Sequence, residues 1–330
     1  MAKYASIDIG TNTLRLLIAE AGRDGELKPL VYERVITRLG GGFSGKDGID
    51  RASAERAFKA LEKFKRLIDE YGAVKKAAVA TSVVRRAKNR DWFLKEILER
   101  TGLTVSVISG KKEAELSFLG VLSVIGALQK KDKLVMDIGG GSTEFILTGG
   151  MDIRGIWSME MGVVHLAENH LKGDPPEKHE LEGLGSEIKG VIEGLKKSMK
   201  EKGVSVEKYS GKANAEIIGT AGTITTLAAV DQDLAEYDRD KINNYILKKS
   251  RIEGIYNRLV SCTLREREKI LSLEKGREDL IIPGALIVLN VMGSFGFDSM
   301  RVADAGLLEG AIINELCLAA EKHKKRGGNL

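Results

Sequence analysis

Residues 135–147 read VMDIGGGSTEFIL: an apolar run that ends in Asp137, then Gly139, Gly140 and Gly141, then Ser142, Thr143 and Glu144 at the head of a second apolar run. Two apolar runs separated by glycines and hydroxyl residues are the pattern of a β-hairpin with a tight turn. Glycine tolerates positive φ and lets the backbone approach a ligand, so this turn can aim several N–H groups at one anion. Phosphate is the natural occupant, yet the flanking carboxylates would repel it. The conflict resolves if a hard cation lies between them, Mg²⁺ being held by one or two carboxylates together with phosphate oxygens.

Residues 7–18, IDIGTNTLRLLI, lie over residues 136–147 without a gap. Asp8 falls on Asp137, Gly10 on Gly139, Thr13 on Ser142, and Leu16, Leu17 and Ile18 on Phe145, Ile146 and Leu147. An internal repeat of this kind predicts two related lobes, each opening with a hairpin whose turn carries a carboxylate, glycine and hydroxyls. Asp8, Asp137 and Glu144 are then the candidate metal shell. Asn12, Thr13, Ser142 and Thr143 are candidate ligand-facing turn residues, with capping of the turn itself as the alternative for each.

A third element, EIIGTAGTITTLAA at 216–229, reads as strand, glycine-hydroxyl turn and helix. Gly219, Thr220, Gly222 and Thr223 would offer backbone N–H groups at a helix N-terminus, where the macrodipole favours an anion. A plain helix cap is the alternative. Other phosphate signatures fail: no G-x-x-x-x-G-K-[ST] occurs, and GGGFSG at 40–45 is followed by Lys46-Asp47-Gly48 where a dinucleotide-binding helix should begin.

The rest of the chain fits this frame. At 330 residues it exceeds one ordinary core and suits two α/β lobes. Strands are predicted at 4–9, 14–20, 31–37, 76–80, 104–108, 134–138, 143–148, 216–219 and 300–303, and helices at 52–71, 91–100, 113–125, 181–202, 245–272 and 307–322. Residues 280–297 are uncharged, but Pro283, Gly284, Asn290 and Ser294 favour a buried helix with proline in its first turn over a membrane span. The net charge of +5 suits an anionic ligand without the basic tracts of a nucleic-acid arm, apart from residues 322–326. Cys262 and Cys317 with four scattered histidines make no zinc or disulfide pattern. The start, MAKYASIDIG, shows no export signal, so a cytoplasmic location is expected.

Nine stretches in order, among them SIDIGTNTLRLLIAE, ITRLGGGF, VATSVVRRAKN, VISGKKEAELSFLGV, VMDIGGGSTEFIL, IIGTAGTITTLAA and ADAGLLEGAI, resemble the Ppx/GppA family of exopolyphosphatases and guanosine pentaphosphate phosphohydrolases, in the actin, sugar-kinase and heat-shock ATPase superfamily. The resemblance implies an α/β fold of two actin-like, ribonuclease H-like lobes with an interlobe active-site cleft: residues 1–125 plus 308–330, and residues 126–307. The length is similar to the family's compact two-domain form. It implies release of terminal phosphate from inorganic polyphosphate or guanosine pentaphosphate with Mg²⁺, leaves room for a monovalent cation such as K⁺, and admits a homodimer. In such enzymes a glutamate near the start of a helix acts as base, which corresponds here to Glu113, and a phosphate-contacting arginine corresponds to Arg85. Arg277 and Asp279 match positions before the apolar helix, where an ion pair and a site role are both open.

Several positions depart from that resemblance. An acidic residue is expected at Lys112 and arginine at Glu115, His165 and Leu308. Lys111 and Lys112 also place cations in a helix's first turn, which is unfavourable by about 0.3–1 kcal/mol each. Either they supply phosphate-facing charge or they are surface lysines. Two rivals follow: a kinase of the same superfamily, which needs ATP and an acceptor, and a non-catalytic polyphosphate or alarmone sensor.

Overall fold

The structure is a computed structural model that describes residues 2–22, 26–43, 48–125, 131–213, 215–270 and 276–327, with side chains as far as Ala319. The chain divides into two compact units, Met1–Ser123 with Ala305–Leu330, and Val124–Asp304. Part of the 40–48 glycine stretch and the side chains of the basic residues 322–326 lie outside what is described.

The first unit contains β1 (Ala2–Ile9), β2 (Thr13–Ala21), β3 (Leu27–Ile36), α1 (Arg51–Glu70), β4 (Lys75–Ala80), α2 (Ser82–Arg86), α3 (Arg90–Thr101), β5 (Ser106–Val107) and α4 (Gly110–Ile125), whose last residues enter the second unit. The second unit contains β6 (Asp132–Ile138), β7 (Thr143–Gly149), β8 (Asp152–Met159), α5 (Val163–His170), α6 (Lys178–Glu201), β9 (Glu216–Thr220), α7 (Gly222–Asp231), α8 (Arg239–Ile242), β10 (Ile246–Lys248), α9 (Lys249–Val260), α10 (Leu264–Arg267), α11 (Ile281–Phe295) and β11 (Ser299–Val302). The last helix, α12 (Leu307–Gly327), belongs to the first unit.

The sheet of the first unit has the order β3-β2-β1-β4-β5. Strands β1, β2 and β3 form an antiparallel meander, and β4 and β5 continue it in parallel. In the second unit the order is β10-β11-β9-β6-β7-β8. Read from β8 to β11 it repeats the first: a meander of β6, β7 and β8, then β9 and β11 in parallel, with β10 added as an antiparallel edge. This is the ribonuclease H-like topology of actin-like lobes, and it appears twice, as the repeat predicts.

Local chemistry explains the elements that frame the sheets. Helix α1 begins where the Asp50 side chain accepts N–H bonds from Ala52 and Ser53 at 2.9 and 3.0 Å. It buries Ala54, Phe58, Leu61, Phe64 and Ile68, spaced three and four apart, against the sheet and against Phe93 of α3, whose ring stacks on Phe58. Helix α11 has Pro283 in its first turn and Gly296 in the left-handed region at its end, and its Ile, Val and Met side chains form the centre of the second core. Among the described residues no helix is long and apolar enough to cross a membrane.

Three expectations change. The helix expected over 245–272 is instead a strand, β10, followed by α9 and α10, with residues 271–272 outside the described residues. Thr263 stops the first helix and starts the second through a capping box with Glu266. The strand expected at 104–108 shortens to the two residues of β5. Strand β8 was not expected, because as an edge strand with a largely exposed start it has no alternating apolar pattern to betray it.

Candidate active site

The two hairpin turns are built alike. Gly10 N–H donates to Thr13 O at 3.2 Å, and Gly139 N–H to Ser142 O at 2.9 Å. Between these closures lie Thr11 and Asn12 in one turn and Gly140 and Gly141 in the other, and their four backbone N–H groups meet no acceptor among the described residues. Thr11, Asn12 and Gly141 are buried nonetheless. A buried N–H without a partner is costly, so the N–H groups of Thr11 and Asn12 in one turn and of Gly141 in the other are suited to an anion, with that of half-buried Gly140 beside them.

The glycines act differently from expectation. None of Gly139, Gly140 and Gly141 has a positive φ. A Cβ on Gly162 would fall 2.3 Å from both Gly140 O and the Gly141 carbonyl carbon, so the start of α5 presses onto the turn. Val163 and Val164 N–H donate to Gly139 O and Gly140 O at 3.2 and 3.0 Å. The turn's carbonyls are thereby held by α5 while the N–H groups of Gly140 and Gly141 stay unclaimed.

The hydroxyls divide. Ser142 donates to Glu144 Oε1 at 2.8 Å, and Thr143 donates to Met161 O. Asn12 donates to Thr13 Oγ1 at 3.3 Å. In this structure these three side-chain groups secure the turns.

The carboxylates divide as well. Asp137 pairs directly with Glu144 across β6 and β7, whereas Asp8 pairs with Arg15 across β1 and β2. Arg15 donates to Asp8 Oδ2 from Nη2 at 2.6 Å and from Nε at 3.0 Å, leaving the buried Oδ1 without a partner. Glu144, 1 % exposed, also accepts the Ser158 hydroxyl of β8 at 2.7 Å. Two carboxylates directly opposite on neighbouring strands repel, with Cβ atoms about 5 Å apart. That donor set fits a hard divalent cation such as Mg²⁺, which takes one or two carboxylates and keeps several waters. Among the described residues no group of three or more His, Cys, Asp or Glu gathers as a complete metal shell. Asp8 belongs to the first unit, and Asp137 and Glu144 belong to the second.

Glu113 and Arg85 come together within the first unit. Arg85 Nη1 donates to Glu113 Oε2 at 3.1 Å and to Ile108 O at 2.8 Å. Ser109 caps α4, its Oγ accepting from Lys112 N–H at 3.2 Å and its carbonyl from Glu113 N–H at 2.9 Å. Glu113 therefore stands at the positive end of a sixteen-residue helix. The departing neighbours resolve physically. Lys112 Nζ lies 3.8 Å from Glu115 and donates to Asn314 at 3.1 Å, so this pair is an acid–base contact with its signs exchanged. Leu308, 1 % exposed, packs with Tyr4, Leu17 and Ile312. His165 is exposed beside Asn169.

At the third turn α7 begins at Gly222, whose N–H and that of Thr223 meet no acceptor among the described residues. The preceding Ala221 holds φ 72 and ψ 171, a region otherwise kept by glycine. A Cβ on Gly222 would fall 1.4 Å from Arg277 Nη1, so the Arg277 guanidinium lies over the helix start. Gly219 and Thr220 are the last two residues of β9.

With this geometry in hand, a profile of the Ppx/GppA phosphatase family matches residues 17–318. The chain belongs to the Ppx/GppA phosphatase family. Exopolyphosphatase 2 of Mycobacterium tuberculosis is 30 % identical over 326 residues, covering 95 % of this chain and 98 % of its own. A bifunctional 3-dehydroquinate synthase/phosphatase of Fusobacterium nucleatum is 34 % identical over 315 residues, and the match covers 94 % of this chain but only 46 % of that protein. Among solved structures, the Aquifex aeolicus PPX-GPPA enzyme matches with a TM-score of 0.76 and 32 % identity over 95 % of this chain and 99 % of its own. Membership of the Ppx/GppA family accounts for the doubled topology.

Arg15 and Ser158 were missed in the sequence. Arg15 could have been found by carrying the repeat one step further, since it falls on Glu144. Ser158 sits on the unexpected strand β8, and no local signal marks it.

Proposed function

We propose that the chain is a Mg²⁺-dependent phosphoanhydride hydrolase that releases terminal phosphate from inorganic polyphosphate, with guanosine pentaphosphate, the stringent-response nucleotide, as a second polyanion of the same chemistry. The observation that carries this reading is the pair of equivalent turns, each with two unclaimed N–H groups, one flanked by Asp8–Arg15 and the other by Asp137–Glu144. One turn suits an anion alone; the other suits an anion together with a cation. The likeness to Exopolyphosphatase 2 supports polyphosphate as substrate. Two free cysteines suit a reducing cytoplasm.

In this mechanism the N–H groups of each unit's turn, and in the second unit those at the start of α7, offer donors to phosphoryl oxygens. Arg85 keeps the Glu113 carboxylate in one orientation and adds positive charge beside it. Glu113 positions water and takes its proton, a role that needs a carboxylate within hydrogen-bond reach. Bound by Asp137 and Glu144, Mg²⁺ would neutralise developing phosphoryl charge. The buried Thr143 and Ser142 hydroxyls keep the turn and Glu144 from reorganising.

The test is orthophosphate release from polyphosphate, guanosine pentaphosphate and ATP, each with Mg²⁺ and with chelator, and with no added acceptor. Release that requires Mg²⁺ and falls with Asp137→Asn supports the hydrolase. Transfer only to an added acceptor would establish a kinase. Binding without release would establish a sensor.

A further inference from the structure

Seven lysines and three glutamates lie between residues 189 and 212, a local net charge of +4 in a chain whose total is +5. Four of those lysines line a groove of about 770 Å³ in the second unit, bounded by the last turns of α6, residues 206–212 and the end of α11. Its lining also includes Glu193, Glu201 and Glu207, the buried Val206 and Phe295, and the neighbours of Phe295 at the end of α11. Lys196 is partly neutralised, its Nζ 3.4 Å from Glu193 and 5.6 Å from the Phe295 ring centre. Lys197, Lys200 and Lys212 are exposed, and none has a carboxylate within 4.0 Å among the described residues. Glu207 accepts the Ser205 hydroxyl at 2.9 Å.

We propose that this groove is a second binding site for an extended phosphate chain, formed by residues other than the hairpin turns, Arg85 and Glu113. The proposal rests on the polyphosphate reading above and extends it to the body of the substrate. Four lysines against three glutamates leave the groove net positive, and the exposed ammonium groups of Lys197 and Lys212, with that of Lys200 only partly offset by Glu207, raise the local concentration of a polyanion and release its counterions on contact. The lining also selects among polyanions. Single-stranded nucleic acid is held by exposed aromatic rings on which bases stack. Here the one aromatic lining residue, Phe295, is 2 % exposed. Lysine acts as a point charge and needs no planar partner, which suits a repeating phosphate chain without bases. The four residues from Lys197 to Lys200 form one turn of α6, so both ammonium groups can follow one strand of phosphates, with Lys212 on the facing segment.

The test compares the whole protein with a Lys197→Ala/Lys200→Ala/Lys212→Ala variant in equilibrium binding of long-chain polyphosphate, tripolyphosphate and a single-stranded RNA, across a salt series. All three positions are exposed, and an unchanged melting temperature verifies the fold. The variant should bind long chains at least tenfold more weakly, with a salt slope reduced by about 2 for three lost contacts. Tripolyphosphate binding and its turnover should stay within twofold of the parent, and the triple Lys→Arg variant should restore long-chain affinity. Equal long-chain affinity in parent and alanine variant overturns the proposal. RNA bound as tightly as polyphosphate through the same lysines also overturns it, assigning the surface to nucleic acid. If the parent binds long chains here yet releases no phosphate, the second site stands and the hydrolase reading fails.

Discussion

Glu144 stands opposite Asp137 across β6 and β7 at the position where, in the equivalent hairpin, Arg15 stands opposite Asp8 across β1 and β2. One repeat thus pairs acid with base and the other pairs acid with acid. This difference supports placing the proposed divalent cation at the second hairpin, where two carboxylates face each other. Asp137→Asn keeps the strand pairing and removes one of the two facing charges. It should abolish most of the increase in melting temperature that Mg²⁺ gives the parent, since only a ligand bound to the folded state stabilises it. Thermal melts with and without Mg²⁺ read this effect. An undiminished Mg²⁺ response in the variant would move the cation elsewhere.

The Asp8–Arg15 contact is predicted to be structural as well as functional. Arg15→Leu leaves the buried Asp8 carboxylate without its partner and should cost about 1–3 kcal/mol. Adding Asp8→Asn should recover part of that loss. Urea denaturation of the two single variants and the double variant measures the coupling, and strictly additive losses would deny it.

Much of this was legible in the sequence because the site is local. Asp8, Asp137, Glu144 and the three turns each lie within a dozen residues, and the ungapped repeat reports two lobes before any coordinate is seen. Glu113 and Arg85 were named only through resemblance; as residues in sequence they are an ordinary helix glutamate and one of two adjacent arginines. Their ion pair joins positions 28 apart and depends on how α2 and α4 are placed, which no local pattern encodes. Strand β8 and Ser158 were hidden for a related reason, since an edge strand gains its identity from its neighbour β7. The fusion of β10, α9 and α10 into one expected helix shows the reverse error, where helical residues continued through a capped break.

Helices α4 and α12 meet at a separation that only glycine permits. A Cβ on Gly310 would fall 1.7 Å from Leu116 O, and one on Gly120 would fall 1.9 Å from Gly306 O. Gly310→Ala should therefore cost about 1–3 kcal/mol, through overpacking against backbone that has no rotamer to change. Gly190, exposed on α6 with nothing within 4 Å of its added Cβ, is the control. Gly190→Ala should add about 0.5–1 kcal/mol. Equal effects at the two glycines would show that helix propensity, not contact, governs both.

Ala221 carries backbone strain at the third turn, at φ 72 and ψ 171. Ala221→Gly should raise stability by about 1 kcal/mol, because glycine occupies that region without steric cost. Denaturant midpoints compare the two proteins, and a less stable variant would show that the methyl group contributes packing greater than the strain.

The most direct test of the account is phosphate release from long-chain polyphosphate with Mg²⁺, comparing the parent with Glu113→Gln while measuring substrate affinity in both. Glutamine keeps the size of the side chain and removes its capacity to accept a proton. The account predicts turnover lower by about 10²- to 10⁴-fold with affinity unchanged or improved. A variant that releases phosphate as fast as the parent would contradict it, since another group would then be orienting the water.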